Sequence, residues 1–147
     1  MTDLILAIVH HLTVLTLVAI LGAELVLLRG TVSGQRLRQL GAVDAAYGAI
    51  AGIVLVVGVV RVFFGASGWA YYVGNGFFWM KMAAFLVVGL LSIPPTMAIV
   101  RWRKAEKIET NYAAPAASIA TAQRFLYAEA LVLVLIPAFA AAMARGF

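Results

Sequence analysis

Hydrophobic residues in this chain come in long unbroken blocks, with polar residues gathered between them. Four blocks, at about Leu4–Leu28, Ala45–Phe64, Phe77–Val100 and Phe125–Met143, each approach the roughly 20 residues that a helix needs to cross about 30 Å of hydrocarbon. None alternates with the period of two that marks a strand of an outer-membrane barrel. The pattern predicts an all-α fold, an integral membrane four-helix bundle forming a single transmembrane domain over residues 1–147. Helices suit that setting because they satisfy their backbone polar groups internally where no water is available. Gly48 and Gly52 make a GxxxG in the second span, which predicts close helix contact there. Pro94 and Pro95 in the third span and Pro137 in the fourth each remove a backbone hydrogen bond and predict kinks. Pro115 suits the first turn of an extension leading into the fourth span.

The polar segments carry an orientation signal. Segment 29–44 contains Arg29, Arg36 and Arg38, and segment 101–124 contains Arg101, Arg103, Lys104, Lys107 and Arg124. The turn between the second and third spans, "GASGWAYYVGNG", has neither Lys nor Arg. The excess of basic residues on cytoplasmic segments predicts that 29–44 and 101–124 are cytoplasmic loops, with the turn and both termini on the outer, periplasmic side. Phe63, Phe64, Trp69, Tyr71, Tyr72, Phe77, Phe78 and Trp79 crowd the outer boundary, where amphipathic rings settle at the headgroups. The opening "MTDLILAIVHHL" has an acid where a signal peptide needs positive charge, so it is expected to stay as a spanning helix.

Composition agrees with a membrane protein. The chain is 65% hydrophobic and 12% charged, with a mean hydropathy of +1.03, far outside the soluble globular range. Its net charge of +5 could by itself suit nucleic acid, but the basic residues sit where topology puts them, so the expected partner is the lipid bilayer of a bacterial inner membrane and not nucleic acid. The absence of cysteine excludes disulfides, iron-sulfur clusters, thiolate zinc sites and covalent haem attachment.

A few polar residues remain inside the spans. At 1.5 Å per residue Lys81 lies about 6 Å below the start of the third span, Arg61 about 5 Å above the end of the second, and His10 about 9 Å into the first. All three belong to the outer half, where Asp3, at the edge, is the one acid. Glu24 and Glu129 lie at comparable depth in the inner half, with Asp44 and Arg124 near its boundary. On a helical wheel His10 and Glu24 are about 40° apart, as are Tyr47 and Arg61, and Lys81 and Ser92 are within about 20°. His11 lies about 140° from Glu24 and is expected to point elsewhere. Three spans thus each carry a polar stripe, whose cheapest place is the bundle interior.

Cations beside an imidazole suit an anionic ligand with a metal. Noncovalent haem b fits: His10 would take the iron, and Arg61 and Lys81 would neutralise its propionates. The second axial position is then open, or filled by Met82, Met80 or Lys81, or by a neighbouring protomer of a homo-oligomer. Glu24, Glu129 and Arg124 would form an inner proton or charge path. Copper is the alternative metal, with His10, His11, Met80 and Met82 as ligands, although Met80 and Met82 point about 160° apart. A third reading is a structural or transport-associated role, in which the same charges form salt bridges or a proton path. End-of-helix cations such as Lys81 and Arg61 also reach the surface by snorkelling, which requires no ligand.

The stretches "LGAELVLLRG" (Leu21–Gly30), "NGFFWMKM" (Asn75–Met82), "GLLSIPPT" (Gly89–Thr96) and "MARGF" (Met143–Phe147) resemble a family of short bacterial predicted membrane proteins with a domain of unknown function, across nearly the whole chain. That resemblance implies a four-helix inner-membrane protein. More distantly the chain is similar to HemJ-type protoporphyrinogen oxidases and to the membrane domain of CopD copper-resistance proteins, through His10, Arg61, Lys81 and the pairing of Arg124 with Glu129. The HemJ resemblance implies a haem-b-associated, membrane-bound oxidoreductase. In the HemJ pattern the last arginine and glutamate stand closer, with an asparagine just before the acid, whereas here Tyr127 and Ala128 intervene. The haem-binding expectation rests on His10, Arg61 and Lys81 and does not depend on that spacing.

Overall fold

In the computed structural model each apolar block is a helix. The structure describes residues 2–64 and 68–145, with side chains from Leu4; the Asp3 side chain and residues 65–67 of the expected turn lie outside the described residues. The elements are α1 (Thr2–Leu27), α2 (Gly34–Phe64), α3 (Gly68–Val73), α4 (Gly76–Glu106) and α5 (Ala116–Ala144). Four of them, all but α3, are long and apolar enough to cross a membrane. The bundle of four long helices is the one the hydrophobic blocks predict.

The helices run further at the basic end than hydropathy suggests. α2 begins at Gly34 and not Ala45, α4 continues to Glu106 past Val100, and α5 starts at Ala116 ahead of Phe125. Arg36, Arg38, Arg101, Arg103, Lys104 and Arg124 therefore lie on helices, and the segments that join them are correspondingly short. A hydropathy window registers bilayer thickness and not the length of the helix. These polar extensions still carry a stripe at helical spacing: Leu37, Leu40 and Gly41 on α2, Ala98, Ile99 and Trp102 on α4, and Ile119, Ala122 and Leu126 on α5 are all buried.

At that end the chain is stitched together by hydrogen bonds. The last carbonyls of α1 have no partner within their own helix, and Arg36 of α2 supplies one, its Nε donating to Leu27 O at 2.7 Å and its Nη2 to Val26 O at 2.8 Å. Gln123 of α5 donates to Leu28 O at 3.1 Å. Gly30, at φ 78°, takes the left-handed conformation that turns the chain away from α1. Ser33 then bridges Ala113, and the Ala114 N–H donates to Val32 O at 2.9 Å. Arg38 of α2 and Glu106 of α4 form an ion pair at 2.9 Å. Most of the buried core, including Leu28, Val32, Leu37, Leu40, Ile99 and Trp102, collects behind these links.

α1 packs mainly on α2 and α4 mainly on α5, while contacts between the two pairs are fewer. Each pair is an antiparallel hairpin of neighbours in sequence. Lipid is as apolar as leucine, so the hydrophobic effect does not drive helices together in mid-membrane and shape decides where they meet. Leu4, Leu12, Leu15 and Leu131 accordingly face outward. The pairs are joined at the basic end. At the aromatic end the expected turn contains a helix, α3: Trp69 stacks on Phe63 at 5.1 Å, Tyr71 Oη donates to Met143 O at 2.9 Å, and Trp79 Nε1 donates to Val73 O at 3.1 Å.

One local expectation comes out differently. A Cβ at Gly48 or Gly52 would meet nothing within 4 Å, so the GxxxG makes no close contact within the chain; the close glycines of α2 are Gly41, against Arg103, and Gly58, against His10. Pro94, Pro95 and Pro137 are accommodated inside continuous helices, and Pro115 is the N-cap of α5, one residue before its first turn.

Candidate functional site

Two clefts lie between the helix pairs, one above the other. The first, toward the aromatic end, is a partly open cavity of about 120 Å³. Its wall is apolar apart from His10 of α1 and Lys81 of α4, with Met82 next to the lysine and Phe78 and Phe85 on the same helix. His10 is brought there by a stripe at helical spacing, His10, Val14 and Leu17, that α1 turns inward. Opposite it, α2 presents Gly58, where a Cβ would stand 3.5 Å from His10 Cε1. That is ordinary contact, so the ring packs against this face of α2 with room for a methyl group. His10 Nδ1 is enclosed and has no hydrogen-bond partner, a condition that buried polar atoms rarely show without a reason.

Lys81 is half-buried, with Nζ 5.9 Å from the centre of the Phe78 ring, within reach of a cation–π attraction. Arg61 stands on α2 one turn beyond Gly58. It is half-buried beside the cleft and not in its wall, its Nε has no hydrogen-bond partner, and both it and Lys81 are close enough to His10 to act on it as charges. The one ion pair among the described residues is Arg38 with Glu106, far away at the basic end. The structure thus brings His10, Lys81 and Met82 to one apolar cleft, with Arg61 at its side and, among the described residues, no carboxylate paired to either cation.

The second cleft lies closer to the basic end, between α2 and α4. Asp44, Tyr47 and Gly48 face Gly89, Ser92 and Thr96 across it, and Leu17 and Phe85 belong to the walls of both clefts. Thr96 Oγ1 donates to Asp44 Oδ1 at 2.6 Å. Behind it lie Glu24 of α1 and Glu129 of α5, 1% and 0% exposed. Tyr47 Oη faces Glu129 without completing a hydrogen bond to it.

Other candidates are placed apart. His11 is exposed and its Nδ1 bonds to Ala7 O at 2.6 Å, with its ring edge-on to that of His10 at 6.2 Å. Met80 is exposed while Met82 faces the cleft. Arg124 is exposed and forms no ion pair with Glu129 among the described residues. Sequence reasoning did not single out Gly58 or the bond between Thr96 and Asp44. Both depend on which helices are neighbours, although Gly58 falls on the Arg61 side of α2, where a small residue opposite an inward histidine is a readable signal once α1 and α2 are paired.

No curated protein and no solved structure matches the chain. A family model described as "Predicted membrane protein (DUF2214)" matches residues 2–147. With that match running along the chain, and with four helices able to span a bilayer, the protein belongs to the DUF2214 family of predicted membrane proteins.

Proposed function

We propose that the protein binds haem b noncovalently in the first cleft and acts as a redox protein of the bacterial inner membrane, of the HemJ and CopD type. The observation that carries this reading is the meeting of His10 and Lys81, from two different helices, in one apolar cleft beside Arg61. The orphaned His10 Nδ1 suits an imidazole held for a ligand and not merely packed. His10 would take the iron, Arg61 and Lys81 would bind the propionates as charge-assisted partners, and Met82, in the same wall, would be a candidate for a second iron ligand. Bound there, haem would supply a one-electron couple. The chain's own part is to orient the ligand between two helix pairs, to exclude water with Phe78 and Phe85, and to offset two negative charges. If the basic end is cytoplasmic, the cleft belongs to the periplasmic half of the membrane. Copper is less well supported, because His11 and Met80 point away from His10 and Met82.

The test is titration of the purified protein in detergent with hemin, with and without dithionite. A Soret band saturating at equimolar haem is expected, abolished by His10→Ala, retained by His11→Ala and formed more weakly by Arg61→Ala and Lys81→Ala. A titration with no saturable band, or a normal spectrum in His10→Ala, would overturn the reading.

A further inference from the structure

The two most deeply buried ionisable side chains belong to neither cation nor ligand in the first cleft. Glu24 and Glu129, 1% and 0% exposed, come from α1 and α5 and are close enough to act on each other as charges. Among the described residues neither is in an ion pair, and Glu24 Oε1 and both carboxyl oxygens of Glu129 lack hydrogen-bond partners. A third orphaned group faces them: the hydroxyl of Tyr47, a residue 5% exposed, which also lines the second cleft. The groups bearing on the pair are Asp44 and Tyr47 from α2 and the Thr96 hydroxyl of α4, which holds Asp44. No lysine or arginine of α1, α2, α4 or α5 is paired with any of them among the described residues. Intramembrane acids in such a setting are expensive to keep and mark ion or proton pathways. A metal ion would need converging ligands, and among the described residues no three His, Cys, Asp or Glu side chains are close enough to hold one. A proton needs only one oxygen at a time.

We propose that Glu24, Tyr47 and Glu129 form a proton-exchange site, loaded and emptied through the second cleft past Asp44. Tyr47 is the relay: with Glu129 as the carboxylate, the Tyr47 O–H bond breaks as its proton passes to a Glu129 oxygen, the phenol oxygen takes a proton from the Asp44 side to leave Glu129 in its acid form, and the reverse steps empty it. One proton moves and no electron is transferred. Leu17 and Phe85 are shared by the two clefts, so an apolar partition separates this site from the first cleft, and the site does not require haem there.

The full chain reconstituted in vesicles tests this by infrared spectroscopy during transfer to deuterated buffer. Acid-form carboxyl bands that shift on deuteration are expected, with one band lost in Glu24→Gln and another in Glu129→Gln. Tyr47→Phe and Asp44→Asn should keep those bands but slow their shift on the order of a hundredfold, the lower range for a positioned proton donor. If a glutamine variant does not fold, the Tyr47→Phe and Asp44→Asn rates decide alone. Absence of exchanging carboxyl bands, or exchange at the native rate in both Tyr47→Phe and Asp44→Asn, would overturn the proposal. Hemin titration bears on neither result, so this site and the haem reading can fail separately.

Discussion

Replacing Glu129 by methionine should make the protein more stable. Methionine is unbranched and close to glutamate in length, so it can follow the same path through the core without a large overpacking strain. Glu129 is 0% exposed and neither of its oxygens has a hydrogen-bond partner. A buried polar group in that state costs about 1–3 kcal/mol, a penalty that an apolar side chain of similar shape does not incur. The expected gain is therefore about 1–3 kcal/mol, or roughly 5- to 150-fold in the unfolding equilibrium. Reversible unfolding in mixed micelles, titrated with a denaturing detergent, would read it through the fluorescence of Trp102, which is buried in the same core. Leu126→Ala provides the control: it lies on the same face of α5, is 1% exposed, and should lose about 2–5 kcal/mol. If Glu129→Met instead lost more than about 1 kcal/mol, the carboxyl would be a satisfied structural group. The argument from orphaned oxygens, and the proton-exchange site with it, would then lose its basis.

Three further outcomes are expected. Gly58→Leu should displace the His10 ring and weaken hemin binding at least about tenfold with helicity unchanged, since an optimally placed ligand is sensitive to small shifts; Gly58→Ala should bind normally, because a Cβ 3.5 Å from His10 Cε1 is in ordinary contact. Arg36→Ala removes the two donors that close the end of α1 and should cost about 1.5–3 kcal/mol in the same detergent titration, with Arg36→Lys recovering only part because it lacks the planar fork. The chain has no cysteine, so a single Lys107→Cys variant can be labelled alone in intact cells. Membrane-impermeant maleimide should reach it only after permeabilisation, and labelling in intact cells would reverse the orientation drawn from the basic segments.

Much of the candidate site is legible along the chain because it depends on local geometry. A helical repeat puts His10 and Glu24 on one face of α1, and both are found turned inward; the same repeat turns His11 away. Depth follows from counting residues at a fixed rise, which separates the layer of Lys81 and Arg61 from that of Glu24 and Glu129. What is not legible is which faces meet. Arg124 falls at a suitable height for Glu129 but is exposed, and Tyr47, from another helix, is the group that faces the acid. The GxxxG of α2 has the composition of a contact surface, yet contact depends on the shape of the partner, and in this chain Gly41 and Gly58 meet neighbours instead.

Hydrophobicity adds up residue by residue, so the sequence by itself determined that this is a membrane protein, that it has four long helices and that its charge is concentrated at one end. Transfer into lipid is nearly indifferent to which apolar helix lies beside which. Tertiary structure alone decided the pairing of α1 with α2 and α4 with α5, the stitching of the basic end by Arg36 and Gln123, and the two clefts left between the pairs. Those features arise from close packing and directional hydrogen bonds between residues distant in sequence, which no local pattern records.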